Sequence, residues 1–375
     1  CRYRGTWQEM SVPARMTDRR IPRKAAGKTR RTGQTSDIGS IVVIPSWRGP
    51  FMNMTECGNH PYENHRRFLK ISGLPSNIQA GFIQVKAAFV GLVGRPSSGK
   101  STLINRICGQ KVSIISPVPQ TTRNRVRGIY SSERGQLVFV DTPGFHLSEK
   151  KINLHLKELA TRTLSEVEIV LYLIDVSRPP GEEERALIEL LRGLETKVIV
   201  ALNKIDVGEG HVEETKAELN QKLNQAPVQL ISALTGQGVD ALLELIWERA
   251  PEGQRMYPED YYTDQSPEFR IAEIIREKAI LQTRQEVPHS LFVDISDMEM
   301  KDGNNYLWVR GFIYVERETQ KGIVVGKGGE KIKNIVRSAE QECNQLFPYR
   351  VKLDIRVKTR PKWRKDEGLL KKLIT

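Results

Sequence analysis

Apolar residues recur along this chain in two rhythms. Between residue 85 and about 250, short unbroken apolar runs lie at Ala87–Val93, Leu137–Val140, Ile169–Ile174, Val198–Leu202 and Val228–Ile231. They alternate with segments of helical period at 100–108, 152–166, 182–194, 212–224 and 238–249. A strand that is apolar on both faces must be covered on both, so residues 85–250 predict an α/β domain with a mostly parallel sheet. Residues 251–267 carry Pro, Tyr, Gly and acidic side chains and read as a linker. Beyond them the pattern predicts helix (268–284), strand (290–299), strand (305–317), helix (329–345), strand (350–358) and a short basic helix near 365–373. This second unit, 268–375, is expected to be α+β, in the order α-β-β-α-β.

Residues 1–84 differ. They are rich in Arg, Gly, Pro, Ser and Thr, show little periodicity and are expected to be disordered. Three accounts compete for them: a mis-extended reading frame with Val85 as the initiator, since bacteria can start at GUG; an organellar targeting segment; and a basic RNA-binding arm. The charge is uneven too. The formal net charge is +13, and residues 1–84, with 14 Lys+Arg against 5 Asp+Glu, hold +9 of it. Residues 321–375 hold 15 basic and 6 acidic residues, whereas 257–320 hold 7 and 13, so the basic face of the folded part is the last stretch of the chain. Such a balance suits a polyanionic partner. The four cysteines form no CxxC pair, which argues against a zinc site or a disulfide framework and fits a reducing compartment. No apolar run reaches the roughly 18 residues that a membrane span needs.

The chemistry sits in four short motifs. Gly94-Arg95-Pro96-Ser97-Ser98-Gly99-Lys100-Ser101 fits GxxxxGK[ST], preceded by an apolar strand and carried into an amphipathic helix, and with Thr102 is expected to hold the nucleotide. Glycines let backbone N–H groups wrap a phosphate at a helix N-terminus. Lys100 would reach the β/γ-phosphates and the Ser101 hydroxyl would ligate Mg²⁺. Asp141-Thr142-Pro143-Gly144 ends the next apolar run, where Asp141 would hold Mg²⁺ through water and the Gly144 N–H would sense a γ-phosphate. Asn203-Lys204-Ile205-Asp206 follows another apolar strand. A buried Asp206 carboxylate there would accept from guanine N1–H and N2–H₂, a donor pair that adenine lacks. Ser232-Ala233-Leu234 would support the base from the far side. Between the first two motifs lies Gln120-Thr121-Thr122-Arg123-Asn124, a polar loop fitting a switch I whose Thr ligates Mg²⁺ when the γ-phosphate is present.

The second unit carries Gly326-Lys327-Gly328-Gly329 entering a helix, with Ile332, Ile335 and Val336 at helical spacing. A KH domain uses a GxxG loop to set backbone N–H groups against single-stranded RNA. Gly326, Gly328 and Gly329 permit close approach, and Lys327, Lys331 and Lys333 add attraction for phosphate. The element order suggests a type II KH arrangement. Lys358-Thr359-Arg360-Pro361-Lys362-Trp363-Arg364-Lys365 reads as a basic tail with one aromatic, suited to RNA backbone or an anionic membrane surface.

Taken together, "PQTTRNR", "DTPGFH", "NKID" and "SAL", joined to the glycine-loop module, resemble the Era family of ribosome-assembly GTPases from about Val85 to the C-terminus. The resemblance implies GTP/GDP and Mg²⁺ as cofactors, Thr122 (with Thr121 the alternative) as the Mg²⁺-ligating threonine, and catalysis resting on Lys100, Thr122 and Gly144. It implies the 3′ end of 16S rRNA and the 30S subunit as partners. The expected setting is the bacterial cytoplasm with peripheral inner-membrane association, or an organelle if 1–84 is a targeting segment; a monomer is expected. Phe145 stands where Ras-like proteins place a water-orienting Gln, so intrinsic hydrolysis should be slow. Several relatives use K⁺ near the phosphates, linked to an Asn whose place Ser97 takes here, so K⁺ is a weaker expectation than Mg²⁺. Two rival readings are an RNA-binding scaffold with structural nucleotide, and a membrane-recruited signalling GTPase.

Overall fold

The computed structural model describes residues 85–119, 121–142, 144, 164–194, 197–301, 303 and 305–373. The accounts of residues 1–84 and most of the helical segment predicted at 152–166 lie outside them.

In the first half the strands are β1 (Val85–Val93), β2 (Val126–Ser132), β3 (Gly135–Asp141), β4 (Ile169–Asp175), β5 (Val198–Asn203) and β6 (Val228–Ile231). Their order in the sheet is β2-β3-β1-β4-β5-β6. β1 pairs in parallel with β3 and β4, and β5 with β4 and β6. The expected apolar runs are the sheet's centre: every residue of β3, β4 and β5 is buried. Helices α1 (Lys100–Cys108), α2 (Glu182–Leu191), α3 (Val212–Lys222) and α4 (Val239–Arg249) follow their strands. One apolar cluster joins Leu92, Ile104, Leu137 and Trp247, and a second joins Val140, Tyr172, Leu187 and Leu219, so the sheet is covered on both faces.

The edge strand β2, antiparallel to β3, was not expected. Its VRGIYSS sequence blurs the alternation at Gly128, where a Cβ would lie 2.7 Å from Ile104 Cγ1 and 2.8 Å from Cys108 Sγ. Glycine there lets α1 pack onto the strand. The expected linker is tied down rather than slack: β7 (Glu252–Gly253) pairs antiparallel with Val85–Lys86. Gln136, fully buried, accepts from the N–H groups of Met256 and Tyr257 and donates to the Tyr257 carbonyl. Ile129 N–H donates to the Tyr262 carbonyl, which closes the strap over β2.

The second half contains α5 (Pro267–Leu281), the single turn α6 (Val287–Ser290), β8 (Phe292–Lys301) and β9 (Tyr306–Val315). These are followed by α7 (Glu318–Val325), α8 (Glu330–Leu346), β10 (Arg350–Thr359) and α9 (Glu367–Leu373). The three strands order β10-β9-β8, with β9 parallel to β10 and antiparallel to β8. α5 starts where Ser266 Oγ accepts from Phe269 N–H and Pro267 fills the first turn. α7 is an addition to the expected order α-β-β-α-β, making the main order α-β-β-α-α-β. Its ETQKGIVV sequence has poor helix propensity. Gln320, in its first turn, caps it by accepting from the N–H groups of Glu316 and Arg317, while Val324 is fully buried.

Candidate nucleotide site and glycine-loop face

The P-loop spans the top of the sheet between β1 and α1. Gly94 has φ +157 and Gly99 φ +103, and a Cβ would lie 2.4 Å from the Leu173 carbonyl and 2.2 Å from Asn203 Nδ2 respectively. Only glycine fits either place. Ser98 is fully buried beneath the loop, and Ser97, at φ +62, is exposed. Pro96 O accepts from Arg178, and the buried Arg95 pairs with the buried Glu184 of α2 at 2.9 Å. Lys100 lies inside the loop, donating to the carbonyls of Gly94 and Arg95, both at 2.9 Å. That leaves one of three ammonium protons for another acceptor. Burial lowers its pKa to about 8, against the pull of Asp141 and Glu183.

Beside Lys100 three expected residues converge. Ser101 Oγ donates to Asp141 Oδ2 at 2.7 Å and lies 3.0 Å from Thr122 Oγ1. Ser113, which the motifs did not flag, also donates to Asp141 Oδ2, at 2.8 Å. Burial raises the Asp141 pKa, opposed by Lys100 and these hydroxyls. Its other oxygen, Oδ1, is buried with no partner among the described residues. A carboxylate with one orphaned oxygen, beside the adjoining Ser101 and Thr122 hydroxyls, is a hard-oxygen set of the kind Mg²⁺ takes, and the residues present fit that ion. Gly144 closes the pocket, its Cβ position only 2.7 Å from Pro96 Cα. The cavity is about 340 Å³ and is lined by Lys100, Ser101, Thr102, Thr122, Gly144 and Lys204 among others. Thr142 is not part of it by side chain, since its hydroxyl donates to Leu92 O of β1. Pro143, Phe145, His146 and Gln120 lie outside the described residues.

At the base end, Asn203 links two motifs: its amide donates to Ser98 O at 2.8 Å and its Oδ1 accepts from Ala233 N–H at 2.9 Å. Lys204, at φ +74, reaches Asp175 at 2.7 Å. Ser232 Oγ accepts from Thr235 N–H, and Arg106 of α1 donates to the carbonyls of Ala233 and Leu234. Asp206 corrects the expectation of a buried carboxylate, because it is exposed. Its selectivity would therefore need the base itself to exclude water.

The described residues of 112–125, all but Gln120, are held from both halves of the chain. Asn105 of α1 accepts from the N–H groups of Val112 and Ser113 and donates to Ser113 O. From α5, Arg276 donates to Thr121 O at 2.5 Å and Glu277 accepts from Ile115 N–H at 2.9 Å. Arg123 donates to the carbonyls of Leu291 and His289 and lies over the Trp363 ring. Val118 packs against the core of the second half. The contacts with the second half have no signature in local sequence, because each joins residues far apart in the chain.

The glycine loop of the second half is open. Gly326 (φ +74) sits close to Lys331, while Gly328 (φ +60) has nothing within 4 Å of its Cβ position and Gly329 (φ +77) only Ile332 at 4.0 Å. Lys327 and Lys333 are exposed and Lys331 is half-buried. The loop runs into α8, whose Ile335, Ala339 and Cys343 face the core. The basic tail is less free than expected. Trp363 is 1 % exposed, donates to Ser290 O at 2.8 Å and packs with Phe292, Leu369 and Leu370. Its aromatic ring is an anchor rather than a contact surface. Among the described residues no helix is long and apolar enough to cross a membrane.

Known proteins share both halves. A family described as "50S ribosome-binding GTPase" matches residues 89–204, and a KH domain family matches residues 286–364. The chain is 47% identical over 292 residues to GTPase Era of Treponema denticola, covering 77% of this chain and 99% of that protein. It is 45% identical over 291 residues to GTPase Era of Borreliella burgdorferi, covering 77% and 100%. Among solved structures, a point variant of Aquifex aeolicus Era bound to GDP·AlF4⁻ aligns with TM-score 0.73 and 36% identity, over 76% of this chain and 98% of that one. Era in complex with MgGDPNP and nucleotides 1506–1542 of 16S ribosomal RNA aligns equally well, with TM-score 0.73 and 36% identity over the same shares.

Proposed function

The chain belongs to the Era family of GTPases, and from that premise we propose that it is a Mg²⁺-dependent guanine-nucleotide switch that binds the 3′ end of 16S rRNA and acts in 30S subunit maturation. The observation that carries the switch is the meeting of Thr122 with Ser101 and Asp141, because a threonine on a loop joins a metal pair fixed by a helix and a strand.

In this reading Ser101 and Thr122 would supply hydroxyl ligands and Asp141 a carboxylate that reaches the ion through water, with Lys100 and the P-loop amides on the phosphates. Mg²⁺, when bound, neutralises charge on the β- and γ-phosphate oxygens. Lys100 would hold its remaining proton toward the same oxygens, and Gly144, packed against Pro96 of the P-loop, would sense the last phosphate through its N–H. Asn203 keeps the phosphate and base subsites in register, and Asp206 accepts from the guanine edge. RNA follows Gly326–Gly329, with Lys327, Lys331 and Lys333 on its phosphates. The relative solved with a 16S rRNA fragment supports ribosomal RNA as the ligand. K⁺ would have to be held by the exposed Ser97, and inner-membrane association by the basic side chains around Trp363.

The test is binding of a ribosomal 3′-end oligonucleotide to the full chain with GDP and with a non-hydrolysable GTP analogue. Tighter binding with the analogue supports the switch. Equal binding in both states makes the nucleotide site and the RNA site independent tenants of one chain.

A further inference from the structure

We propose that the KH half is a built-in part of the nucleotide sensor: Arg276 of α5 is a positioning residue that holds the 112–125 segment where Thr122 can ligate the metal. This inference rests on the reading of Thr122 as a Mg²⁺ ligand.

Three features of Arg276 carry it. The guanidinium is buried, at 3% exposure, and is aimed by Glu273 through bonds to both carboxylate oxygens at 2.7 and 2.6 Å. Its Nη2 donates at 2.5 Å to the carbonyl of Thr121, the peptide that enters Thr122. Its Nη1 is buried without a partner among the described residues. A buried guanidinium with an unsatisfied nitrogen is costly, and an apolar residue would pack a passive interface better. The carbonyl it grips fixes the peptide whose next side chain, Thr122, lies 3.0 Å from Ser101 Oγ.

The grip is repeated on either side. Arg123 is anchored to the carbonyls of Leu291 and His289, at 2.9 and 3.2 Å, just ahead of β8. Glu277, next to Arg276, receives Ile115 N–H and pairs with Lys111 at 2.5 Å. Lys111 also pairs with Glu342 of α8, the helix that the glycine loop begins, and Glu342 pairs in turn with Lys278 of α5. A continuous set of contacts therefore runs from the RNA-facing helix to the threonine. The clamped state and the metal-ready state are one and the same geometry. By linkage, whatever steadies α5 against α8, including RNA on the glycine loop, raises affinity for the triphosphate form, and the triphosphate raises affinity for RNA.

The test compares the full chain with Arg276→Met, Arg276→Lys, Glu273→Gln and Thr122→Ala. We expect Arg276→Met to weaken a non-hydrolysable GTP analogue about tenfold while GDP affinity stays within about twofold. Arg276→Lys, which keeps one donor, should recover part of the loss, and Glu273→Gln should lose part of it. Hydrogen exchange should quicken across 112–125 in the analogue-bound Arg276→Met protein and remain unchanged in β4 and β5. Equal loss of GDP and analogue, or unaltered exchange in 112–125, would overturn the proposal. If Arg276→Met does not fold, the Lys and Gln variants decide by the same two readouts. Thr122→Ala separates the layers: if it leaves analogue affinity as high as in the unaltered chain, the metal reading itself has failed, whatever Arg276 does.

Discussion

Two glycine loops each open a helix in this chain, and they are built in opposite ways. The P-loop is walled in: Gly94 and Gly99 are hemmed by Leu173 and Asn203, Ser98 lies fully buried beneath, and Lys100 is folded inside. The GKGG loop stands clear, with open space at Gly328 and exposed lysines at 327 and 333. A pocket for one compact polyphosphate gains from pre-set amides that no water can compete with. A loop that must accept a continuing strand gains from having no walls. The same backbone device thus becomes an enclosure or a ledge according to what packs behind it.

The largest effect that would break this contrast is at Gly99. Gly99→Ala combines a disfavoured φ with a Cβ 2.2 Å from Asn203 Nδ2, so we expect a loss of about 3 kcal/mol in stability, with loss of GTP binding. Calorimetry and nucleotide titration would read both. Gly328→Ala meets only the backbone penalty of about 1 kcal/mol and should leave GTP hydrolysis within about twofold while weakening RNA. Equal damage from the two would mean that the GKGG loop is also enclosed.

The lysines sharpen the same point. Lys100→Met removes a buried, engaged ammonium and should weaken GDP by at least a hundredfold, about 3 kcal/mol. Lys327→Met should cost RNA binding about 1 kcal/mol or less, and lower the slope of its salt dependence by about one. A steep RNA loss with no change in slope would show that Lys327 reads bases. A smaller effect than at Lys100 is expected at Asn203, whose amide joins Ser98 to Ala233. Asn203→Ala should weaken GTP by about 1–3 kcal/mol and leave RNA binding in the absence of nucleotide unchanged, as measured by titration of each ligand alone.

The smallest effect concerns one of the contacts that join the two halves, the pairing of Lys111 with Glu342. Burial opposes it, but hydrogen bonds and charge from Lys111 and Lys278 hold the Glu342 carboxyl below its ordinary pKa. A carboxylate with a depressed folded pKa contributes stability above its unfolded value, near pH 4.5, and loses it as pH falls through the folded value. Acid titration of stability should show this loss, about 1 kcal/mol or less because the group is partly open to solvent. Glu342→Gln should show a shallower fall over the same window.

Much of this was legible in the sequence because it is local. The unbroken runs at Ile169–Ile174 and Val198–Leu202 could only be central strands, and GRPSSGKS between a strand and a helix could only be a phosphate loop. What stayed hidden was of three kinds. α7 is held by the reach of Gln320 back to its own N-terminus, against the propensity of Gly322, Ile323 and Val325. Trp363 looked like a surface aromatic because its neighbours are basic, yet it completes a core with Phe292. Arg276 and Thr121 are 155 positions apart, and no pattern in one sequence pairs an arginine with a carbonyl at that distance.

One further side chain shows what the strap between the halves does. Arg270 is buried with its guanidinium 5.1 Å from the Tyr262 ring of the strap and 4.9 Å from the Phe347 ring that ends α8. Tyr262 also packs on the first core, and Phe347 belongs to the second. A cation shared between two rings makes the strap a common wall rather than a tether. On heating, neither half can shed its wall alone, so residues 85–373 should melt in a single cooperative transition, and separating the halves between 254 and 262 would leave two fragments each less stable than the whole.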